Sequence, residues 1–361
     1  MSKSVITPSC AGAGMKLLFI DLSPRAYDCL TGLSEPLGGT QSAVAGLSKA
    51  LALRGHDVTV VNGVAEPREV ENVKFISQSE KVQPNDYDIL IPVSVPLGRK
   101  LKSVGCTKPI VLWAHHDSNQ PACFNLATPE EKSIYSGFVF VSEWQKSRYE
   151  LSFRIFDKTR IIRNAISEPF LNVERRLHDN ITLAYTSTPY RGLDVLLLAF
   201  STIRKHIPEC RLKIFSSMAI YGETDPYEGL YETARKLDGV EYVGALSQVR
   251  LADELAGIDY WTYPSTFPET SCISAMEAMA AGCGIISTEL GALPETCAGF
   301  GALMDLQPDI TPIVAGRFAA HVVNSISNLS WFDREGQVAY ARACNWDARA
   351  KEWEDYLGSL I

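Results

Sequence analysis

The sequence predicts an α/β protein made of two Rossmann-like domains, each built on a parallel sheet and facing the other across a cleft. Three observations lead to this prediction. The chain has 361 residues, which is too long for one ordinary core and suits two domains. Short β-rich runs alternate with helical patterns from end to end, as in sheets covered by helices on both faces. A polar joint that contains proline, near residues 164–176, separates two such runs.

In the first half of the chain, nearly continuous apolar runs predict parallel strands that are buried on both faces. The clearest helix between them spans 40–54 and ends at Gly55, since glycine readily adopts the conformation that terminates a helix. The predicted strands are 16–22, 57–62, 74–76, 87–93, 109–115 and 137–141.

The second half repeats the alternation and ends in an amphipathic segment. Its predicted strands are 181–185, 211–215, 240–243, 260–263 and 284–287, and its predicted helices are 192–206, 227–237, 248–256, 271–281 and 313–324. Near the end of the chain, Trp346, Trp353, Tyr356 and Leu357 recur at helical spacing, which predicts a helix that docks on another part of the protein. We therefore divide the chain into a flexible extension at 1–14, an N-terminal domain at 15–165, a C-terminal domain at 166–340 and a C-terminal helix at 341–361.

Composition limits the function classes. Hydrophobic residues make up 46% and charged residues 21% of the chain, which is typical of a folded globular protein. The net charge of -8 argues against nucleic acid as a partner, because binding its phosphates needs a cationic face. Nine cysteines without a Cys-x-x-Cys pair indicate free thiols. The leading apolar run is too short for a signal peptide, so we expect a cytoplasmic protein, with Met15 as an alternative start.

Four predicted strand exits carry unusual chemistry, and two of them lie in the first domain. The turn at 36–41 contains Gly38 and Gly39 just before a helix, where a backbone can approach an anionic ligand closely. A plain turn is the alternative interpretation. The second exit carries His115, His116 and Asp117, where a histidine whose tautomer is fixed by the carboxylate could donate to a substrate hydroxyl. A structural histidine is the alternative, and metal-ligand spacing is absent.

The other two exits lie in the second domain. Arg191 directly precedes a predicted helix, and a guanidinium beside a helix N-terminus favours a phosphate or diphosphate. The fourth exit leads to Glu269 and then to a helix in which Glu277 is the only charged residue. A carboxylate in so apolar a helix needs hydrogen-bond donors, which a protein partner or the hydroxyls of a ligand could supply. Glu269 with the free N–H groups of Thr270–Ile273 suits a sugar attached to a phosphate, and Glu277 suits a ribose diol.

The segment at 267–288, FPETSCISAMEAMAAGCGIIST, resembles the core of glycosyltransferase family 4 (glycosyl transferases group 1), and Glu269 and Glu277 match its E-x7-E pattern. The segments at 37–60, 140–146, 162–166 and 192–197 agree with the family in order and spacing. The resemblance implies a GT-B fold whose C-terminal helix packs back on the N-terminal domain. It also implies a retaining, metal-independent transfer of a sugar from a nucleotide-diphosphate sugar to an acceptor hydroxyl.

The resemblance further implies a role for each candidate residue. His116 touches the donor sugar near the reacting carbon, Arg191 binds the diphosphate and Glu269 contacts the sugar. The amides of Thr270, Ser271, Cys272 and Ile273 bind sugar and phosphate, and Glu277 holds the ribose. The implied position of Gly38 and Gly39 is near the phosphates and acceptor, and that of Ala245 and Leu246 is at the nucleobase.

The chain departs from the family pattern on the cationic side of this site. The arginine that the family has upstream of its diphosphate-binding lysine is missing from the stretch 185–189, and the turn after the second strand of this domain reads Ser216-Ser217 where glycines are usual. A non-catalytic protein that binds sugars or nucleotide sugars therefore remains an alternative. A nicotinamide-dependent oxidoreductase fits the two-domain pattern but lacks the glycine fingerprint.

The resemblance implies a UDP- or GDP-sugar donor and a saccharide or lipid-linked acceptor, such as a precursor in polysaccharide biosynthesis. A basic segment at 144–163 carries Tyr149, Phe153 and Phe156, and a second basic cluster lies earlier in the chain, at 99–102. Solvated helix faces are the plainer interpretation of both segments. The alternative is a rim that contacts anionic lipid or a lipid-linked acceptor at the inner membrane face.

Overall fold

The computed structural model of the protein describes residues 14–222 and 224–361, so the predicted extension at 1–14 lies outside the described residues except for Gly14. The N-terminal domain alternates strands and helices in the order that the apolar runs predict. Its elements are β1 Lys16–Ile20, α1 Thr31–Ser34, α2 Gly39–Leu53, β2 Asp57–Asn62, β3 Arg68–Val70, β4 Val73–Ser77, β5 Ile89–Pro92, α3 Gly98–Ser103, β6 Val111–Trp113, α4 Pro129–Ser133, β7 Gly137–Phe140, α5 Glu143–Phe153 and β8 Thr159–Ile161.

The strands of the N-terminal domain form a five-stranded sheet of order β3-β4-β2-β1-β5 and a three-stranded sheet of order β6-β7-β8. Isolated parallel bridges, Leu90 with Ile110 and Val93 with Trp113, join the β5 edge of the first sheet to the second. All strand pairs are parallel except β3 with β4. The predicted parallel sheet is thus confirmed, and its strand order reverses between β1 and β5.

The C-terminal domain follows the same plan. Its elements are β9 Thr182–Tyr185, α6 Leu193–His206, β10 Arg211–Ile214, α7 Glu228–Lys236, β11 Val240–Tyr242, α8 Gln248–Leu255, β12 Tyr260–Tyr263, α9 Ile273–Ala280, β13 Gly284–Thr288, α10 Leu293–Cys297, β14 Gly301–Met304, α11 Thr311–Ser327 and α12 Arg334–Ala343.

One six-stranded parallel sheet of order β11-β10-β9-β12-β13-β14 organises the C-terminal domain. The order reverses between β9 and β12. Ligands of open parallel sheets bind beyond the carboxyl ends of the strands at such a reversal. This topology therefore marks the exits of β9 and β12, which carry Arg191 and Glu269, as the expected site.

The predicted strands differ from the observed ones mainly at the edges of the sheets. The buried strands β2 and β12 have their predicted bounds, because continuous apolar runs mark them clearly. The sequence analysis missed β3, β8 and β14, which are short and only partly buried. An edge strand buries fewer apolar side chains, so its sequence carries a weaker signal.

The last helix, α13 Trp346–Gly358, returns to the N-terminal domain and packs on α2, as predicted. Trp353 is buried in the N-terminal core, and Trp346 packs against Gly46, where a Cβ atom would fall 2.3 Å from the indole Nε1. Glu354 anchors the helix by accepting from Arg54 Nε at 2.7 Å and contacting His56 Nε2 at 2.9 Å. Burial alone would raise the pKa of Glu354, but these two partners lower it overall.

Two further observations concern the chain as a whole. Every helix in the ranges 14–222 and 224–361 is too short or too polar to cross a lipid bilayer. The cysteines of these ranges are free thiols, and all of them except Cys29 are buried.

Candidate active site

A cavity of about 510 Å³ lies between the two domains, beyond the carboxyl ends of β9 and β12. Its lining contains every predicted site residue except Gly38: Gly39, His116, Arg191, Ala245, Leu246, Glu269, Thr270, Ser271, Cys272, Ile273 and Glu277. Gly38 lies at its edge, where a Cβ atom would fall 2.7 Å from Gln41 Oε1 and 3.0 Å from Tyr221 Cε1. The fold therefore brings together residues that are up to 239 positions apart, from Gly38 to Glu277.

Arg191 ends a 3-10 turn, Pro189–Arg191, at the exit of β9. The following residue, Gly192, has a φ of +111°, and a Cβ atom there would fall 2.1 Å from the carbonyl oxygen of Pro264. Only glycine fits this close approach between the exits of β9 and β12. The turn places the guanidinium in the cavity, packed on the ring of Phe267 at 4.5 Å.

The two charged residues that were predicted for the diphosphate and the sugar are in direct contact. Arg191 Nη1 donates to Glu269 Oε1 at 2.8 Å, and the Tyr263 hydroxyl donates to the same oxygen at 2.6 Å. Both side chains of the ion pair are largely buried, with 19% and 7% exposure. In the structure, therefore, the cation of the site is already neutralised by the carboxylate beside it.

The backbone after Glu269 corrects one prediction about this helix. The sequence predicted a helix from Ser271, but α9 begins at Ile273, with Cys272 extended at φ −87° and ψ 92° as its N-cap. The amides of Thr270–Ile273 donate to no acceptor within residues 14–222 and 224–361. These four residues still line the cavity, as a short extended run and the first helical residue.

Glu277 lies in α9 and is 5% exposed. Burial raises the pKa of its carboxyl to about 8, opposed by a 3.4 Å contact from Gln248 Nε2. A neutral carboxyl can both donate to and accept from the hydroxyls of a diol, and an ionised carboxylate can accept from both hydroxyls. Gln248 was missed by the sequence analysis. It is the first residue of α8, two residues after the predicted contact Leu246. Its place at a helix start that follows a strand exit is the signal that could have identified it.

The histidine cluster differs from the prediction in one contact. The side chain of Asp117 accepts from Arg148 Nε at 3.3 Å and from the Ser118 amide, and across the described ranges no hydrogen bond joins it to His116. Asp117 therefore does not fix the tautomer of His116. Burial lowers the pKa of His116, against an opposing effect of Asp21, and it lowers the pKa of His115 to about 3, so burial favours the neutral form of both rings. The His116 Nδ1 atom is buried and has no hydrogen-bond partner among residues 14–222 and 224–361.

Both domains contact each other directly around the cavity. The Thr270 hydroxyl donates to the carbonyl oxygen of His115 at 2.8 Å. Glu295, in α10, accepts from the amides of Glu143 and Trp144 at 2.9 and 2.6 Å, which caps α5 of the other domain. Arg163 adds a 3.5 Å contact to the same carboxylate. Three hydrogen bonds and one ion pair therefore join the two domains beside the cavity.

Positive charge in the cavity is sparse. Among its lining residues in the described part of the chain, Arg191 is the one Lys or Arg side chain. The loop where the family has its upstream arginine supplies the hydroxyls of Thr186, Ser187 and Thr188 instead. Thr188 Oγ1 is buried and has no hydrogen-bond partner in the described part of the chain. Tyr190 and Tyr221 also line the cavity beside Arg191. No group of three or more His, Cys, Asp or Glu residues in the described ranges is arranged to hold a metal ion.

The basic segment at 144–163 is only partly a surface. Tyr149 and Phe153 are buried in the core, which corrects their predicted place on a rim. They lie on the inner face of α5, a distinction that the composition of the segment does not reveal. Several of its cations have intramolecular partners, including Arg148 with Asp117. Its exposed residues include the apolar and cationic side chains Leu151, Arg154, Phe156 and Arg160, together with Ser152, Asp157, Lys158 and Arg163.

Comparisons with known proteins agree with this architecture. Residues 181–309 match the family model of glycosyl transferases group 1, so the predicted resemblance is confirmed. No curated protein matches the sequence. Among solved structures, sucrose-phosphate synthase from Thermosynechococcus elongatus aligns with a TM-score of 0.74 at 16% identity, covering 96% of this chain and 99% of the other.

Two further structures show the same likeness. A glycosyltransferase from Rickettsia africae ESF-5 aligns with a TM-score of 0.70 at 14% identity and covers 96% of this chain and 98% of its own. Anabaena HepE in complex with UDP-glucose aligns with a TM-score of 0.69 at 16% identity and covers 96% of this chain and 100% of its own. The alignments span both domains and confirm the predicted GT-B fold.

Proposed function

We propose that this chain, a GT-B protein whose residues 181–309 match group 1 glycosyltransferases, transfers a sugar from a nucleotide-diphosphate sugar to an acceptor hydroxyl. The observation that carries the proposal is the grouping of Glu269, Arg191, Glu277 and the free amides of Thr270–Ile273 in one interdomain cavity. Carboxylates recognise sugar and ribose hydroxyls, while amides and a guanidinium recognise phosphate. A nucleotide sugar contains all three kinds of group.

The proposed donor lies along the C-terminal domain. The nucleobase contacts Ala245 and Leu246, and the ribose binds Glu277, which Gln248 supports. Arg191 binds the diphosphate. Glu269 and the amides of Thr270–Ile273 hold the sugar, with His116 facing it from the other domain. That other domain would also supply the glycine loop at Gly38 and Gly39, near the phosphates and acceptor.

The proposed reaction retains the anomeric configuration. The bond between the anomeric carbon and the leaving phosphate oxygen breaks, and its electron pair leaves with the diphosphate. The acceptor hydroxyl forms a bond on the same face, and a donor phosphate oxygen takes its proton. The chain's own part is to hold the donor and to stabilise the developing negative charge with Arg191 and backbone donors, without a divalent ion.

The ion pair between Arg191 and Glu269 supports a specific binding step. A diphosphate that approaches Arg191 competes with Glu269 for the guanidinium. An arginine has five N–H donors, so it can keep one contact with the carboxylate while it binds a phosphate oxygen. A sugar hydroxyl can then donate a hydrogen bond to the other oxygen of Glu269, which couples sugar binding to diphosphate binding.

The acceptor side of the proposal is broader. We infer a saccharide or lipid-linked acceptor that enters from the N-terminal domain, as in the assembly of glycans or glycolipids.

Membrane contact is proposed through the exposed residues Leu151, Arg154, Phe156 and Arg160, which combine apolar and cationic side chains. Flotation with vesicles that contain about 30% anionic lipid tests this contact. The variant Leu151→Asp/Phe156→Asp should lose flotation, and flotation equal to the wild type would contradict it.

A thermal-shift screen tests the donor site. We expect a nucleoside diphosphate or nucleotide sugar with uracil or guanine to raise the melting temperature, since ligands that bind only the folded state stabilise it. The variant Glu277→Ala should lose this stabilisation, because it removes the proposed ribose contact. Glu232→Ala, an exposed residue of α7, is the matched control and should keep it. A folded Glu277→Ala protein that nucleotide still stabilises would contradict the role of Glu277. Binding without turnover would instead support a non-catalytic sugar-binding protein.

A further inference from the structure

Arg191 makes three polar contacts in the cavity, and two of them are with tyrosine hydroxyls. Its Nε donates to Tyr190 Oη at 3.3 Å, and its Nη2 donates to Tyr221 Oη at 3.4 Å. The third contact is the ion pair with Glu269. Each hydroxyl oxygen accepts from the guanidinium and keeps its own proton, which Tyr221 can donate either to the neighbouring Tyr190 hydroxyl or to a ligand oxygen.

Tyr221 is the better placed of the two tyrosines. Tyr190 is 39% exposed, whereas the ring of Tyr221 lies against the glycine loop of the opposite domain, 3.0 Å from a Cβ atom built on Gly38. Tyr221 therefore touches both sides of the cleft. Burial raises the pKa of its hydroxyl and outweighs the opposing effect of Arg191, so the hydroxyl stays protonated as a donor.

The turn that carries Tyr221 is held firmly in place. Tyr221 ends the 3-10 turn Met218–Tyr221, which follows β10. Asp225 accepts from the Ser217 hydroxyl at 2.9 Å and from the Met218 amide at 2.8 Å. The same carboxylate accepts from the Tyr231 hydroxyl. These bonds fix the start of the turn, which reduces the ordering that Tyr221 needs when a ligand binds.

A leaving diphosphate needs more donors than Arg191 alone supplies. It carries two phosphoryl groups, while the described lining of the cavity holds one Lys or Arg side chain, and that side chain is shared with Glu269. A preorganised hydroxyl in a closed cavity stabilises developing negative charge on oxygen, as the donors of oxyanion holes do. The Tyr221 hydroxyl lies 3.4 Å from Arg191 Nη2, directly beside the guanidinium that is proposed to bind the diphosphate.

We propose that Tyr221 donates a hydrogen bond to the leaving diphosphate and acts with Arg191 in place of a second cation. This inference rests on the proposed function. When the bond between the sugar and the phosphate oxygen breaks, its electron pair stays on the diphosphate, and Tyr221 stabilises that charge while it keeps its own proton. The residue thus belongs to the leaving-group half of the site.

The variant Tyr221→Phe tests the inference because it keeps the ring and removes the hydroxyl. Calorimetric titrations compare UDP with uridine and GDP with guanosine for the wild type and the variant. We expect the variant to bind the nucleoside diphosphate about tenfold more weakly and the nucleoside with unchanged affinity, since a hydrogen bond to a charged group is lost. Tyr340→Phe, in α12 and outside the cavity lining, is the control and should bind both as the wild type does.

Each outcome has a clear meaning. An unchanged affinity of Tyr221→Phe for the diphosphate would overturn the inference. An equal loss for nucleoside and diphosphate would also overturn it, because the hydroxyl would then act on the whole cavity rather than on the phosphates. A wild type that binds neither UDP nor GDP would refute the proposed function itself. A diphosphate-specific loss, with a fall in kcat of about a hundredfold for the nucleotide sugar, supports the inference.

Discussion

Replacing Arg191 with alanine should destabilise the protein as well as impair catalysis. Arg191→Ala leaves the Glu269 carboxylate, which is 7% exposed, with the Tyr263 hydroxyl as its remaining side-chain partner. Breaking a buried ion pair by removing one partner costs about 3–5 kcal/mol. Because the 2.6 Å bond from Tyr263 persists, we expect the lower end, about 3 kcal/mol of unfolding free energy. The lost packing of the guanidinium on Phe267 acts in the same direction.

The double variant Arg191→Ala/Glu269→Gln separates the charge from the packing. It removes the unpaired carboxylate and should recover about 2 kcal/mol of the loss. Urea unfolding of the wild type, both single variants and the double variant gives the coupling free energy of the pair. An Arg191→Ala protein within about 0.5 kcal/mol of the wild type would refute this reasoning. A double variant no more stable than Arg191→Ala would refute it equally.

Three other perturbations test different parts of the structure. Gly46→Ala should lower the melting temperature by several degrees, because its Cβ atom would clash with Trp346. Gly316→Ala is the control and should leave the melting temperature unchanged or raise it, since nothing in the described part of the chain lies within 4 Å of its Cβ atom. Equal effects of the two substitutions would contradict the packing of α13. Glu354→Gln should be less stable than the wild type near pH 7. The difference in free energy of unfolding should narrow as pH falls below about 4.5, because the lowered pKa of Glu354 means that only its ionised form stabilises the fold. A difference independent of pH in urea unfolding would contradict the role of Glu354 as the anchor of α13. Glu277→Gln should be more stable than the wild type above pH 8, because a carboxyl with a raised pKa destabilises the fold when it ionises. The difference in free energy of unfolding should close as pH falls towards 4.5. A difference that does not change with pH in the same urea unfolding series would contradict the burial of Glu277.

The sequence predicted the architecture and most members of the site, because these depend on local patterns. Continuous apolar runs marked the buried strands, and Glu277 stood out as the one charge in an apolar helix. Strand-exit reasoning then placed Arg191 and Glu269 near each other, since carboxyl ends of parallel strands share one edge of a sheet. These predictions use only spacing along the chain.

Contacts that join distant parts of the chain were beyond the reach of such patterns. Asp117 accepts a hydrogen bond from Arg148, in α5, although its neighbour in sequence is His116. Tyr221 follows a strand without a glycine motif, so nothing in its surroundings marked it as a ligand contact. Its position is set by the order of β10 and β9 and by the approach of the opposite domain.

The structure also changes the meaning of one predicted pair. Arg191 and Glu269 were assigned to different parts of the donor from their positions in sequence. Their 2.8 Å contact shows that neither can be altered without affecting the other. Loss of activity in a single variant of either residue therefore needs the stability measurement described above before it is attributed to catalysis.

The most direct test of the account is turnover of nucleotide sugars by the purified protein. Wild-type protein is incubated with a panel of UDP- and GDP-sugars, with and without candidate saccharide acceptors, and nucleoside diphosphate release is measured together with the anomeric configuration of the product by proton NMR. The account predicts release from at least one donor, a product with the donor's configuration, and loss of release in Glu277→Ala. A protein that binds a nucleotide sugar but releases no diphosphate, or one that inverts the configuration, would contradict it.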